Sequence, residues 1–486
     1  MPNEKHSSHS REHISIPILN IYPMDVRIEK IWWENSASMR ETISLIKKNQ
    51  TNGIKSIYVF SAFRTSEYNT TTELLKCVEA CTANDEAQAR VILDRIASFY
   101  RETISKEWYD TPGIEWVVND IFGTYRAYIR AYFADTHRIP PEESNDYAIW
   151  GVSFLGAWEV ITTEIYRTIL FGGGDTWSID PAQVDDYTRI LSMLESTGIV
   201  VSPGYYGWLP GGIIQTWGRG YSDATAVRIY ESIKEMYPAW NLTLSIRKMY
   251  PICSADPRSI DRSRVKKLSH ISLGLLLEMI GTHGASSQFV NQNAANISFF
   301  EKWGILQIYT EDDPIGSIIS LDWDEMSTGF LFIASKSLKV FTISSYQFNI
   351  PWYTEYLAHF FTKKGINIDN IVTSQTQISI TIADKDTLKY SIESLRSELL
   401  GYLKIFETDS AISPTLSIED HANIYIGGED IDFPGSLAQI SSILREHSIN
   451  ITLLLQPLHP RVVIIGVKKK DEKHTLDVLH RWLIEV

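Results

Sequence analysis

The last third of the chain contains an internal repeat, and no other feature limits the possible folds so strongly. Each copy predicts the order β-α-β-β-α from its hydrophobic periods. The elements of the first copy are strand 338–345, helix 352–364, strands 366–374 and 377–384, and helix 387–400. Those of the second copy are strand 423–428, helix 435–448, strands 449–456 and 461–470, and helix 471–486. The junctions KKGINID and EHSINIT coincide as well, so the repeat predicts two duplicated units of one fold.

Upstream of the repeat, strand and helix patterns alternate. The apolar runs 14–22 and 54–63 predict buried strands, with a helical spacing from Met39 to Ile46 between them. Further predicted elements are helices over 86–109 and 147–170 and a short strand over 199–202. Because such alternation is typical of layered α/β folds, we expect a mostly parallel sheet covered by helices on both faces.

Length and charge exclude several classes of protein. A chain of 486 residues is too long for one core, so two to four domains are expected. The net charge of -14 opposes binding to nucleic acid or to an anionic membrane, and no apolar stretch is long enough to span a bilayer. Few cysteines and a polar N-terminal segment without a signal-type apolar run indicate a cytoplasmic protein. Cys77 and Cys81 have no matching His/Cys pair, so no metal site is predicted.

The strongest local motif is TWGRGYSDATAVRIYESI, residues 216–233. Its two glycines permit close approach of the backbone to a ligand, and Ser222 or Asp223 can cap the helix that follows. The free N–H groups and the dipole of that helix attract an anion, and Arg219 supplies a planar fork suited to a carboxylate. An ordinary glycine turn before a capped helix explains the same residues, so the motif alone leaves both interpretations open.

Three further segments, together with this loop, resemble the aspartokinases, in particular their eukaryotic, fungal-like branch. The segments are VFSAFRTSEYNTTTELLKC (59–77), VVSPGYYGWLPGGIIQTWGRGYSD (200–223) and ICSADPRSIDRSRVKKLSHIS (252–272). In the second repeat, FPGSLAQISSILREHSINI (433–451) is similar to the signature of ACT ligand-binding domains. The resemblance extends over nearly the whole chain from about residue 54.

The resemblance implies an α/β fold of the amino-acid kinase type, an αβα sandwich with a mostly parallel sheet, followed by two ferredoxin-like ACT domains (βαββαβ). The implied segments are a disordered tail at 1–13, the kinase domain at 14–325, and ACT domains at 336–405 and 418–486. In the family, ACT pairs bind a feedback amino acid, commonly threonine or lysine, and join subunits into homodimers or larger homo-oligomers. The loop 344–352 lacks the glycine common at effector loops, so effector binding and a purely structural ACT pair both stay open.

The same resemblance implies an aspartate kinase. Such an enzyme uses ATP and Mg²⁺ to phosphorylate the side-chain carboxylate of L-aspartate, giving 4-phospho-L-aspartate for amino-acid or specialised-metabolite biosynthesis. The implied catalytic residues are Arg219 and Asp223. The implied substrate-binding residues are Ser61, Gly218, Gly220 and Ser222, and the implied nucleotide-binding residues are Arg247, Asp256 and Arg258. No covalent nucleophile is required, because the substrate oxygen attacks the γ-phosphate directly.

The sequence departs from the family pattern at four places. Aspartokinases begin with a strand ending in Lys-Phe-Gly-Gly-Thr-Ser, whereas the aligned region 18–36 has no glycine, so the loop and its lysine are predicted to be missing. Val152 stands where the family has a substrate-binding glutamate, and Lys248 replaces an acidic residue. GASSQFVN (284–291) lacks the lysine, histidine and proline found there in the family. Loss of the first lysine is expected to lower the rate of phosphoryl transfer by several powers of ten.

These departures leave three functions open. The first is an active aspartate kinase, and the second is a kinase with an altered substrate, whose remodelled pocket includes Val152 and Tyr221. The third is a catalytically degenerate homologue that acts as an amino-acid-binding or regulatory partner. A misjoined N-terminal coding segment explains the missing loop but not Val152, so genuine divergence is the favoured explanation.

Overall fold

The computed structural model describes residues 23–31, 36–61, 70–108, 184–204, 222–283, 297–310, 312–321, 329–344, 353–387, 390–403, 414–428, 433–456 and 461–485, with single residues and short pieces elsewhere. By its internal contacts the chain forms two compact units. The first consists of Met1–Glu29, Asn35–Thr216 and Ala226–Leu244, and the second of Lys30–Glu34, Trp217–Thr225 and Ser245–Val486. Within the described part, no helix combines the length and the apolar character needed to cross a membrane.

Strands and helices alternate in the part of the chain that precedes the repeat. The described elements are β1 (Asp25–Ile31), α1 (Ser36–Thr51), β2 (Lys55–Phe60), α2 (Thr70–Thr82), α3 (Glu86–Trp108), α4 (Val184–Thr197), β3 (Ile199–Pro203), β4 (Trp208–Leu209), β5 (Ile213–Ile214), α5 (Ser222–Met236), β6 (Asn241–Arg247), β7 (His270–Ser272), α6 (Leu273–His283), α7 (Ile297–Trp303), β8 (Ile305–Tyr309) and β9 (Ser317–Ser320). Helix α1 buries Met39, Ile43 and Ile46, whose spacing of three to four residues forms one apolar stripe.

In the first unit the strands follow the order β3-β2-β1-β6. Strands β2 and β3 are parallel, with Ser56 opposite Ile199 and Phe60 opposite Pro203. Both are buried almost throughout, as expected for parallel strands that are covered on both faces. Helix α4 ends at Gly198, whose φ of 76° lies in the left-handed region and turns the chain directly into β3.

In the second unit the order is β1-β6-β8-β9-β7. The pairs β6/β8 and β7/β9 are parallel, whereas β8 and β9 are antiparallel. The turn between β8 and β9 contains Gly316, which has a φ of 58°. A Cβ atom at this position would lie 1.9 Å from the carbonyl oxygen of Ile308, so only glycine fits.

The repeat forms a separate antiparallel sheet with the strand order β11-β12-β10-β13-β15-β14. Its elements are β10 (Phe332–Ser344), α8 (Tyr353–Lys363), β11 (Asn370–Thr373), β12 (Gln377–Ala383), α9 (Asp384–Thr387), α10 (Ile392–Leu403), β13 (Thr415–Gly427), α11 (Ser436–Glu446), β14 (Leu453–Leu455), β15 (Val462–Lys468) and α12 (Glu472–Leu483). Strands β10 and β13 pair from Phe332 opposite Gly427 to Ser344 opposite Thr415, and this pairing joins the two copies into one sheet.

Each copy of the repeat has its own hydrophobic core. The first core includes Phe341, Leu357 and Leu399, and the second includes Ile424 and Leu479. Helices α8 and α10 contribute to the first core, and α11 and α12 contribute to the second. The duplicated order of elements predicted from the sequence is therefore confirmed.

Several predicted boundaries differ from those of the structure. Strands β10 and β13 begin earlier than predicted, because the two strands pair with each other beyond their apolar residues. The predicted strand 14–22 lies outside the described residues, and the strand that precedes α1 is Asp25–Ile31. The predicted helix 147–170 also lies mostly outside them. The domain boundaries given above stay a prediction.

Candidate functional site

Two lysines and one aspartate form a buried ion cluster in the second unit. The Nζ atom of Lys30 lies 3.1 Å from Oδ1 of Asp223, and the Nζ atom of Lys248 lies 2.7 Å from Oδ2. Only 3%, 4% and 10% of the side-chain surfaces of Lys30, Asp223 and Lys248 are exposed. The two oxygens of one carboxylate therefore contact two different ammonium groups in a buried environment, where charges are only weakly screened.

Three elements bring these charges together. Lys30 is the last residue but one of β1, Asp223 lies in the first turn of α5, and Lys248 directly follows β6. The backbone N–H of Lys248 donates to the carbonyl oxygen of Tyr309 at 2.9 Å, which fixes its backbone beside β8. Because the N-terminus of a helix carries a partial positive charge, the position of Asp223 in α5 favours an ionised carboxylate.

The ionisation of Asp223 follows from its neighbours. Burial raises the pKa of a carboxyl group, but the nearby ammonium groups of Lys248 and Lys30 outweigh burial and lower the pKa of Asp223 from 3.8 to about 2. Asp223 is therefore an anion at neutral pH. An Asp–Lys cluster of this kind can neutralise and orient a phosphate group, which is the main requirement of phosphoryl transfer.

The strand that precedes α1 carries a lysine, although the sequence predicted that the lysine of the family motif is missing from this region. The apolar run 14–22 suggested the first strand, whereas the strand before α1 is β1 and carries Lys30 near its C-terminal end. Lys30 is therefore a candidate for the lysine of the family motif, and the predicted loss of that lysine stays a prediction. The aligned region 18–36 contains no glycine, and Trp32 and Trp33 follow Ile31 in the sequence.

The other predicted substrate and nucleotide residues are only partly described. Ser61, Ser222 and Arg247 are buried. The remaining positions lie outside the described residues, namely Val152, Gly218, Arg219, Gly220, Tyr221 and the segment 284–291. The roles assigned to all of these residues stay predictions.

The two predicted nucleotide residues of the segment 252–272 contact each other. The backbone N–H of Arg258 donates to Oδ1 of Asp256 at 2.9 Å, and a terminal nitrogen of its guanidinium donates to Oδ2 at 2.6 Å. This pairing raises the pKa of Arg258. Nucleotide binding by either side chain stays a prediction.

The same segment is built into the second repeat. Ala255 and Ile260 belong to the hydrophobic core of that repeat. The Oγ atom of Ser254 lies 3.0 Å from Nε2 of His480 on α12, and the carbonyl oxygen of Ser254 accepts the N–H of Ile333 at 2.8 Å. The segment predicted to handle the nucleotide therefore packs directly against the predicted regulatory repeat.

Ionic contacts join this segment to the C-terminal residues. Arg264 donates to Oε1 of Glu485 from Nε at 2.9 Å and from a terminal nitrogen at 2.7 Å, and its other terminal nitrogen donates to Asp477 at 2.5 Å. The same Oε1 of Glu485 lies 2.8 Å from Nδ1 of the fully buried His480. Burial lowers the pKa of His480, although Glu485 acts in the opposite direction.

The sequence did not reveal two members of the ion cluster as partners. Lys248 was noted only as a reversal of charge, and its partner Asp223 is 25 residues away along the chain. For Lys30, the available signal was a lysine shortly before the α1 pattern, but the charged residues of DVRIEKI obscured the strand. The contacts of His480 had no sequence signal.

Comparison with solved structures identifies the class of the fold. The chain has the α/β fold of solved aspartate kinases, in which a mostly parallel sheet is followed by the sheet of the duplicated repeat. Comparison with family models gives no match, and comparison with curated protein sequences gives none either.

Within that class, the fold is that of the aspartate kinases. The structure of Clostridium acetobutylicum aspartate kinase, described as an allosteric enzyme, aligns with a TM-score of 0.68 at 17% identity, over 94% of this chain and 100% of that one. E. coli aspartokinase III in complex with aspartate and ADP (R-state) aligns with a TM-score of 0.66 at 16% identity, over 95% and 100% of the two chains. The same enzyme with lysine and aspartate (T-state) gives 0.64 at 17% identity, also over 95% and 100%.

Proposed function

We propose that the protein is an aspartate kinase, which transfers the γ-phosphoryl group of MgATP to the side-chain carboxylate of L-aspartate or a close relative. The observation that carries this proposal is the buried contact between Lys30 and Asp223, at the end of β1 and the start of α5. The similarity of the fold to aspartokinase III, whose structure holds aspartate and ADP, supports it.

Lys30 takes the part of the lysine in the family motif Lys-Phe-Gly-Gly-Thr-Ser. A carboxylate oxygen of the substrate attacks the γ-phosphorus, a new P–O bond forms, and the bond from phosphorus to the bridging oxygen breaks. ADP leaves with the electron pair of that bond. The ammonium group of Lys30 neutralises charge on the transferred group, and Asp223 holds this ammonium in place.

The remaining roles follow the family pattern. Arg219 binds a carboxylate of the substrate, while Ser61 and the start of α5 orient the substrate or the phosphate. Arg247 and the segment 252–272 attend the nucleotide. Mg²⁺ supplies charge neutralisation on the phosphates, and we do not assign Asp223 as its ligand because both Asp223 oxygens contact ammonium groups.

A coupled assay of ADP release, with MgATP and L-aspartate, tests this proposal. We expect aspartate-dependent turnover in the unmodified protein, and a loss of at least about a hundredfold in Lys30→Met and in Arg219→Ala. Lys47→Met is the matched control, because Lys47 is an exposed lysine on α1. Turnover that is equal in the unmodified protein and in Lys30→Met would refute the proposal.

A second candidate is an amino-acid-binding or regulatory protein without catalysis. The sequence observation that favours it is Trp32-Trp33, which replaces the two glycines that let the backbone approach the phosphate in the family. Calorimetry with threonine, lysine and ATP tests this candidate. Heat from threonine or lysine, together with no aspartate-dependent ADP release, supports it, and no heat from any of the three compounds rules it out.

A further inference from the structure

We propose that Lys248 is a positioning residue of the phosphoryl-transfer site. Lys248 contacts the carboxylate of Asp223, so that this carboxylate offsets less of the positive charge of Lys30. Lys30 can then attract the transferred phosphate. This inference rests on the proposed function and extends it to a residue at which the family pattern has an acid.

Two cations share the carboxylate of Asp223. Lys248 contacts Oδ2 at 2.7 Å with hydrogen-bond geometry, and Lys30 contacts Oδ1 at 3.1 Å. Because the attraction between charges rises as their separation falls, Asp223 is bound more strongly by Lys248 than by Lys30. In a simple Lys30–Asp223 pair the carboxylate would compensate the charge of Lys30 more fully.

Lys248 is held at both its backbone and its side chain. Its backbone N–H is bonded to Tyr309 directly after β6, and its side chain is only 10% exposed. A side chain fixed at both ends loses little conformational freedom when it orients a neighbour. Lys248 therefore determines where the carboxylate of Asp223 lies, and through this carboxylate it determines where the ammonium group of Lys30 lies.

The sign of the charge at position 248 affects the ionisation of Asp223. A glutamate there would place a second carboxylate beside Asp223, and two carboxylates at such a distance do not both ionise readily. A lysine keeps Asp223 ionised, in agreement with the direction in which its pKa is shifted. The arrangement of the cluster thus depends on a cation at position 248.

Kinetics of Lys248→Met test the inference. We expect kcat to fall about a hundredfold while the KM for aspartate changes less than threefold, because the residue acts on the transferred phosphate through Lys30. Lys248→Arg should recover kcat to within about tenfold of the unmodified protein. The double variant Lys248→Met/Asp223→Asn should be no slower than Asp223→Asn alone, since both changes remove one interaction. The control Lys47→Met should leave kcat unchanged.

Two results would overturn the inference: kcat of Lys248→Met within threefold of the unmodified protein, or losses from Lys248→Met and Asp223→Asn that multiply in the double variant. Circular dichroism checks that the variants fold. If Lys248→Met does not fold, Lys248→Gln removes the charge and retains a hydrogen-bond donor, and the same fall in kcat is expected.

A binding experiment separates this inference from the proposed function. Calorimetry measures the affinities for ADP and for a non-hydrolysable ATP analogue, both with Mg²⁺. We expect Lys248→Met to reduce the ratio of the affinity for the analogue to the affinity for ADP about tenfold. Only the analogue has a γ-phosphate, and Lys248 acts on that phosphate through the charge of Lys30. An unchanged preference overturns the inference. A reduced preference without aspartate-dependent turnover in the unmodified protein refutes only the proposed function.

Discussion

Replacing Asp223 by asparagine should destabilise the structure around the ion cluster, because the substitution leaves the ammonium groups of Lys30 and Lys248 without the carboxylate that both contact. The pKa of Asp223 is about 2 in the folded protein, against 3.8 for a free side chain. One pKa unit corresponds to about 1.4 kcal/mol, so ionisation of Asp223 contributes about 2 kcal/mol of stability. Removing one partner from a buried ionic cluster typically costs about 3–5 kcal/mol in total.

The sign of the pH dependence follows from the lowered pKa of Asp223. The unfolded chain binds the proton more readily than the folded protein does. The contribution to stability is therefore fully present above pH 3.8 and is lost as the pH falls from 3.8 towards about 2. At pH 7 the effect of Asp223→Asn should be at its maximum.

Hydrogen exchange read by mass spectrometry measures this effect locally. A loss of about 3 kcal/mol corresponds to roughly a hundredfold faster exchange of the amides in α5 at pH 7. Asp312→Asn is the matched control, because Asp312 is an exposed aspartate of the second unit, to which Asp223 also belongs. Exchange in α5 that stays within threefold of the unmodified protein would refute the reasoning.

A compensating variant tests the same reasoning in the opposite direction. If the two uncompensated ammonium groups cause the loss, then adding Lys30→Met and Lys248→Met to Asp223→Asn should restore most of the protection. Well-packed apolar side chains often replace buried ion clusters at little cost in stability. A triple variant that exchanges faster than Asp223→Asn would contradict this explanation.

Three further predictions concern the second unit. Arg264→Ala should lower the free energy of unfolding by about 1 kcal/mol in a urea titration, because its partly exposed contact with Glu485 is lost, and an effect that does not weaken at 1 M salt would count against an ionic origin. The pKa of His480 lies below 6.5, so the thermal midpoint should fall as the pH drops below 6.5, and His480→Gln should flatten this dependence; an equal fall in the variant would exclude His480 as the cause. Gly316→Ala should lower the thermal midpoint far more than Gly304→Ala, because only the first adds a methyl group against a backbone oxygen; equal shifts would contradict the clash.

The repeat could be predicted from the sequence because each copy specifies its own core. Each of the four helices has an apolar face that contributes to one of these cores. Examples are Leu357 on α8 and Leu399 on α10 in the first copy, and Ile440 on α11 and Leu479 on α12 in the second. The full lengths of β10 and β13 could not be predicted. Residues 415–421, TLSIEDH, carry several polar side chains, and they form a strand because β10 supplies hydrogen-bonding partners.

The ion cluster could be predicted only in part. Asp223 was identified because a glycine loop and a helix start surround it in sequence. Lys30 was not, because a buried lysine in a strand contradicts the apolar pattern from which strands are predicted. Its burial depends on Asp223 and on the fold that brings β1 and α5 together, and neither is encoded near position 30.

The packing of the segment 252–272 has a consequence for how this chain can change during evolution. Ala255 and Ile260 fill part of the core of the second repeat, although they stand far from that repeat in sequence. A recombination event that exchanged only residues after 329 would keep these two side chains but replace most of the core residues against which they pack. A boundary drawn at residue 329 therefore cuts through a hydrophobic core, and an exchange that keeps this core intact has to include the upstream segment as well.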